Sequence, residues 1–159
     1  MTLAVTFTSW LLALHLLSAF ALAGSLALFW YLILASRNVD TPQATVAMGP
    51  VAGVGTMVVR AGGIGTLVFG IWLAIRLDHV QIWSGWIIAA IVLWALMGAI
   101  GGRTGKYYTD VQKLAEEGGE SAQQEVVARL RAPTGALLHL ATVLVFVLIL
   151  LDMIFKPGA

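Results

Sequence analysis

From Phe7 to Leu34 the chain reads FTSWLLALHLLSAFALAGSLALFWYLIL, 28 residues without an Asp, Glu, Lys or Arg. A helix rises 1.5 Å per residue and crosses a hydrocarbon layer in about 20 residues, so this run can span with tilt or with a projecting end. The same character extends outward from it. Of 159 residues 60% are hydrophobic and 11% charged. Soluble domains carry roughly a quarter charged residues, so the solvent for which this chain is built is lipid. Three further apolar runs follow, at about residues 55–77, 82–102 and 134–155. The expectation is one all-α integral membrane domain: an antiparallel four-helix bundle in the lipid bilayer, with a short cytoplasmic helical arm at 103–133.

Basic residues near span ends set orientation, because Lys and Arg are retained in the cytoplasm. The connections after the first and third spans hold Arg37, Arg103, Lys106, Lys113, Arg129 and Arg131, against Arg76 and Lys156 on the other side. Both termini are therefore expected outside, with the longer loops in the cytoplasm of a bacterial inner membrane. Ala21-Leu22-Ala23-Gly24 resembles a signal-peptidase site. No base precedes it and the apolar run continues beyond it, so an uncleaved first span is expected.

The connections have their own signals. Asn38, Asp40, Thr41, Pro42, Gly49 and Pro50 are turn formers and predict an irregular link between Arg37 and Gly55. The brief link from Leu77 to Ile82 makes the second and third spans neighbours. The arm reads as two short helices, Tyr108 to Glu117 and Ser121 to Arg131, broken by Gly118-Gly119, with Ser121 as a cap and Pro133 as a stop. Val126, Val127 and Leu130 form a small apolar stripe that folds the arm back under the bundle, with Arg129 and Arg131 free to rest on lipid head groups. Trp83 and Trp86 sit where an interfacial aromatic belt would place them.

Several function classes are excluded. With no Cys there is no disulfide, thiolate metal site, cysteine nucleophile or iron–sulfur cluster. A net charge of +1 offers no basic field to nucleic acid. The sequence holds no Walker loop, dinucleotide fingerprint, H-E-x-x-H or nucleophile elbow.

Inside lipid every ionisable side chain is costly and is a functional candidate. His15, with Thr8 and Ser18 near its face, could ligate haem iron or copper, could shuttle a proton, or could simply hydrogen-bond a neighbouring backbone or hydroxyl. His139 lies about two turns into the fourth span. With opposed chain directions it differs from His15 in depth by on the order of 10 Å, too far to share one haem. Arg60 lies among Gly53, Thr56, Gly63 and Gly70, which leave one helix face nearly bare. Its guanidinium could hold a propionate, a lipid phosphate or a quinone oxygen, or could snorkel to the inner head groups. Gly98 and Gly102 form a G-x-x-x-G packing pair. Asp152 and Lys156 stand four apart and can pair at the outer surface. Asp78 and His79, also outside, are too scattered with Asp152 to specify a metal.

Trp10-Leu-Leu-Ala-Leu-His15-Leu-Leu-Ser-Ala19 with Gly24, Arg60-Ala-Gly-Gly63, and the closing Leu151-Asp-Met-Ile-Phe-Lys-Pro157 together resemble an uncharacterised bacterial family of four-span predicted integral membrane proteins. That family is similar in outline to the CopD copper-resistance domain and to HemJ-type protoporphyrinogen oxidase. The resemblance implies a haem or metal ligand on the first span, matched by His15. HemJ-type enzymes add a lysine in a later span, and no span here contains one.

The leading expectation is a redox or porphyrin protein holding haem b or a related porphyrin between its spans. His15 is its ligand, Arg60 neutralises a carboxylate, and His139, Ser18 and Gly63 complete the site. A non-catalytic auxiliary subunit, packed as a homo-oligomer or against a larger membrane complex, is the alternative. CopD-like copper handling is a third reading.

Overall fold

The computed structural model describes residues 6–77 and 80–156, and no strand occurs among them. Its helices are α1 (Phe7–Ser36), α2 (Pro42–Ala47), α3 (Gly49–Arg76), α4 (Gly85–Gly118), α5 (Gln123–Arg131) and α6 (Pro133–Phe155), with a 3-10 turn at Gly119–Ala122. By length and apolar composition three stretches can cross a membrane: Phe7–Ser36, Pro42–Arg76 and Gly85–Phe155. The last contains both α4 and α6. Asp78, His79 and Pro157 lie outside the described residues.

Local chemistry explains the boundaries. Thr6 caps α1, its Oγ1 accepting from the Ser9 N–H at 3.2 Å. The link expected to be irregular contains α2 instead. Thr41 is its N-cap, Pro42 supplies a pre-set φ in its first turn, and Pro50 does the same for α3, which therefore begins at Gly49 and not near residue 55. The third apolar helix does not stop at 102 either. α4 continues through Tyr108 to Gly118, because nothing from Arg103 to Glu117 breaks a helix. The break falls at the glycine pair, where Gly119 adopts φ +51°, a conformation costly for any side chain. Ser121 does not cap: its hydroxyl donates back to the Gly118 carbonyl at 2.6 Å. Ala132 ends α5 and Pro133 opens α6.

Two helix pairs carry most of the packing, α1 with α3 and α4 with α6, while α3 and α4 touch at few points. The first pair is a tight seam. A Cβ added at Gly62 would stand 2.8 Å from the Leu22 backbone nitrogen and 2.9 Å from the Ser18 carbonyl oxygen, so only glycine lets the two backbones meet. Gly65 abuts the Ser18 side chain, Gly70 the His15 ring, and Gly55 the tips of Leu28 and Phe29. Away from the arm, Leu22, Leu26, Met97, Val145, Phe146 and Ile149 fill the interior, and Ala74, Trp86 and Ile87 close the end farthest from the arm.

Trp86 is thus a core residue with Lys156 over its ring at 5.5 Å, while Trp83 stays exposed as a belt residue would. The expected Asp152–Lys156 pair is absent. The helix ends at Phe155, and Lys156 turns to φ +41°, out of the i,i+4 register. Asp152 Oδ2 is buried without a hydrogen-bond partner.

The arm folds back as expected. Val111, Ala115, Ala122, Val126 and Leu130 make a small core with Val39 and Val46. Arg131 bonds Asp40 and the Arg37 carbonyl, and Arg129 pairs with Glu125, while both side chains stay about half exposed.

Candidate functional site

The weak contact between α3 and α4 leaves a groove of about 910 Å³. Its floor comes from α1 (Leu22, Leu26, Phe29) and α6 (His139, Thr142), and its walls from α3 and α4. Glycine makes both walls thin. Added Cβ atoms at Gly53, Gly63, Gly98, Gly102 and Gly105 would meet nothing within 4 Å. The Gly98/Gly102 pair therefore packs against no other helix among the described residues. It borders open space.

Arg60 lines this groove from α3, and its side chain makes no hydrogen bond or ion pair with the described residues. It lies 11 residues beyond the start of α3, about 16 Å along the axis. A guanidinium that far along an apolar helix, with five donors unspent, suits a bidentate acid group. Gly63 sits beside it, its carbonyl accepting the Trp94 indole N–H at 3.1 Å. Trp94 was not anticipated as a lining residue. An indole N–H within an apolar span must find an acceptor, and that signal was available for Trp94.

His139 is buried at 3% exposure on the groove floor. Its Nε2–H donates to the Leu26 carbonyl at 3.0 Å, and its ring stacks on Trp30 with centroids 5.5 Å apart. Gly62 meets Leu22 and Gly55 meets Phe29, so Leu26 lies opposite α3 between them. Arg60 and His139 consequently share one depth to within about a turn.

His15 and Ser18 lie elsewhere. The Nδ1–H of His15 donates to the Thr66 carbonyl at 2.9 Å, and neither residue is among those lining the groove. Measured along α1 from His15 to Leu26, the two imidazoles are about 16 Å apart in depth. The structure brings Arg60, Gly63 and His139 together and leaves His15 and Ser18 in the α1–α3 seam.

These contacts bear on haem. The groove offers a porphyrin's carboxylate a guanidinium and its plane a glycine-thinned wall. It offers iron no ready ligand. The His139 Nε2 is already bound to Leu26, and the His15 Nε2, although its tautomer leaves that nitrogen a lone pair, faces the seam half of the molecule. Among the described residues no three His, Asp or Glu side chains gather as a metal site.

A family model described as predicted integral membrane protein, DUF2269, matches residues 9–157. The chain belongs to the DUF2269 family. No curated protein and no solved structure matches it. The matched range of this DUF2269 protein takes in all four groove-forming helices, α1 apart from its first two residues.

Proposed function

We propose that this protein is a four-pass membrane protein, α1, α3, α4 and α6 forming an antiparallel bundle, that binds a largely apolar, acid-bearing molecule in the α3–α4 groove. The groove with Arg60 unpartnered on its wall is the observation that supports this reading. The six bases at the arm end against two at the other favour an arm-inside orientation in a bacterial inner membrane, with both termini outside.

A haem-type porphyrin, haem b included, is the first member of the ligand class to test, since it combines a flat apolar plane with carboxylates. The chain's contribution is to hold the acid at Arg60 and the plane between the glycine walls. The test is an optical titration of the detergent-purified protein with haem. The expected result is a Soret band and an affinity that falls about tenfold or more in Arg60→Ala, the size of a lost charge-assisted hydrogen bond. No haem uptake removes the porphyrin. If no acid-bearing lipid or cofactor co-purifies either, the groove reading falls as well.

A second reading, the auxiliary subunit, draws on Gly98, Gly102 and Gly105, which leave α4 approachable to backbone distance by a foreign helix. It predicts a stoichiometric membrane partner that is lost when Gly102 is replaced by Leu. Copper handling has less support, since copper sites need several converging ligands.

A further inference from the structure

The position of the groove along the helices says how a ligand reaches it. α1 contributes lining residues only from Leu22 onward, α3 none beyond Ile64, α4 none before Trp94, and α6 none beyond Thr142. Every helix thus opens the arm-side part of the bundle and closes the other. Beyond the Trp94–Gly63 hydrogen bond the interior is filled by Val145, Phe146 and Ile149 and by the Ala74–Trp86–Ile87 cluster.

Along α4 the lining runs from Trp94 to Lys113, about 28 Å of helix. Its character changes on the way. Near the blind end stand Leu22, Met97 and Arg60, while the arm end presents Thr45, Thr104, Lys106, Asp110, Gln112 and Lys113. Lys106 is paired with Asp110 at 3.3 Å, so the balance among groove-lining charges is positive: Arg60, Lys106 and Lys113 against Asp110. A pocket filled by lipid chains would be apolar at its mouth and bordered by hydrocarbon. This one is polar at the mouth and leads to a cation.

The geometry points to a water-filled vestibule, open on the arm side and blind at Trp94, that conducts a small organic acid, carboxylate or phosphate, from the aqueous phase to Arg60 with the acid group foremost. This deepens the binding reading above and rests on it for the ligand. The vestibule itself is tested without any ligand.

The chain lacks Cys, so single cysteines report directly. Gly98→Cys and Gly102→Cys place a thiol in the vestibule where nothing stands within 4 Å, so the fold is not disturbed. Gln124→Cys, exposed on α5, marks vesicles that present the arm, and Ile88→Cys, exposed on the apolar surface of α4 beyond the groove, is the lipid control. Membrane-impermeant methanethiosulfonates are added to vesicles of each orientation, one reagent bearing a sulfonate and one a trimethylammonium.

Gly98→Cys and Gly102→Cys should label in vesicles that also label Gln124→Cys, and not in the opposite orientation, while Ile88→Cys stays unlabelled in both. The sulfonate reagent should react about fivefold faster than the cationic one, an attraction on the scale of one nearby charge in water, and Arg60→Ala should abolish that preference. Labelling from neither side, or from the side opposite the arm, overturns the vestibule. Arm-side labelling with no charge preference, or with a preference that survives Arg60→Ala, overturns the assignment to acids. If these results hold while no haem binds, the vestibule stands and the porphyrin falls.

Discussion

The two sides of α3 use the same residue for opposite ends. Toward α1, Gly62, Gly65 and Gly70 are each filled by a backbone or side chain of the neighbour, so the absent side chain brings two helices into contact. Toward α4, Gly53 and Gly63 face nothing, and Gly98, Gly102 and Gly105 across the gap also face nothing. In lipid no hydrophobic force drives helices together, so close van der Waals contact must do it, and the filled glycines supply that contact. The unfilled ones gain no such energy. They still cost about 1 kcal/mol each against Ala in a helix interior. In this chain that cost is borne along an open wall.

Substitutions should separate the two sides sharply. Gly62→Val drives a branched side chain into the α1 backbone, and a loss of roughly 3 kcal/mol, enough to part α1 from α3, is expected in detergent unfolding. An unchanged midpoint would mean that the seam is not tight. His15→Phe removes the tie to Thr66 while keeping a ring against Gly70, with an expected loss of about 1 kcal/mol in the same assay. If His15 serves a ligand instead, its replacement should leave unfolding unchanged and abolish binding.

Gly98→Leu belongs to the other side. It should leave stability unchanged or raise it by up to ~1 kcal/mol through helix propensity, while acid binding is lost. A destabilised Gly98→Leu would show that α4 has a neighbour at that point. The smallest effect is expected at the arm. Arg131 and Asp40 pair across a solvent-exposed gap, so Arg131→Ala should cost well under 1 kcal/mol, read as slightly faster proteolysis near Gly118-Gly119.

Much of the fold was legible because lipid is a demanding solvent. Charge-free runs, the Gly118-Gly119 break and Pro133 located α1, α5 and α6 closely, while α4 runs on past the expected end of its span. α2 was missed because Thr41-Pro42 is both a turn signal and a helix start, and only the continuation decides which. For the site, Arg60, Gly63 and His139 could be picked out as costly or permissive residues in lipid. Their assembly without His15 could not. Apolar residues are spread almost evenly around α1 and α3, so no stripe reveals which helix each face meets. The Asp152–Lys156 pair failed for a related reason: spacing of four implies contact only while the helix lasts, and α6 ends between them.

Because α1 and α3 pack chiefly on each other, and α4 and α6 likewise, the order of synthesis acquires a meaning. A nascent chain emerging amino end first can zip its first hairpin before the second exists. The cleft is then the boundary at which a later-made half docks on an earlier-made one.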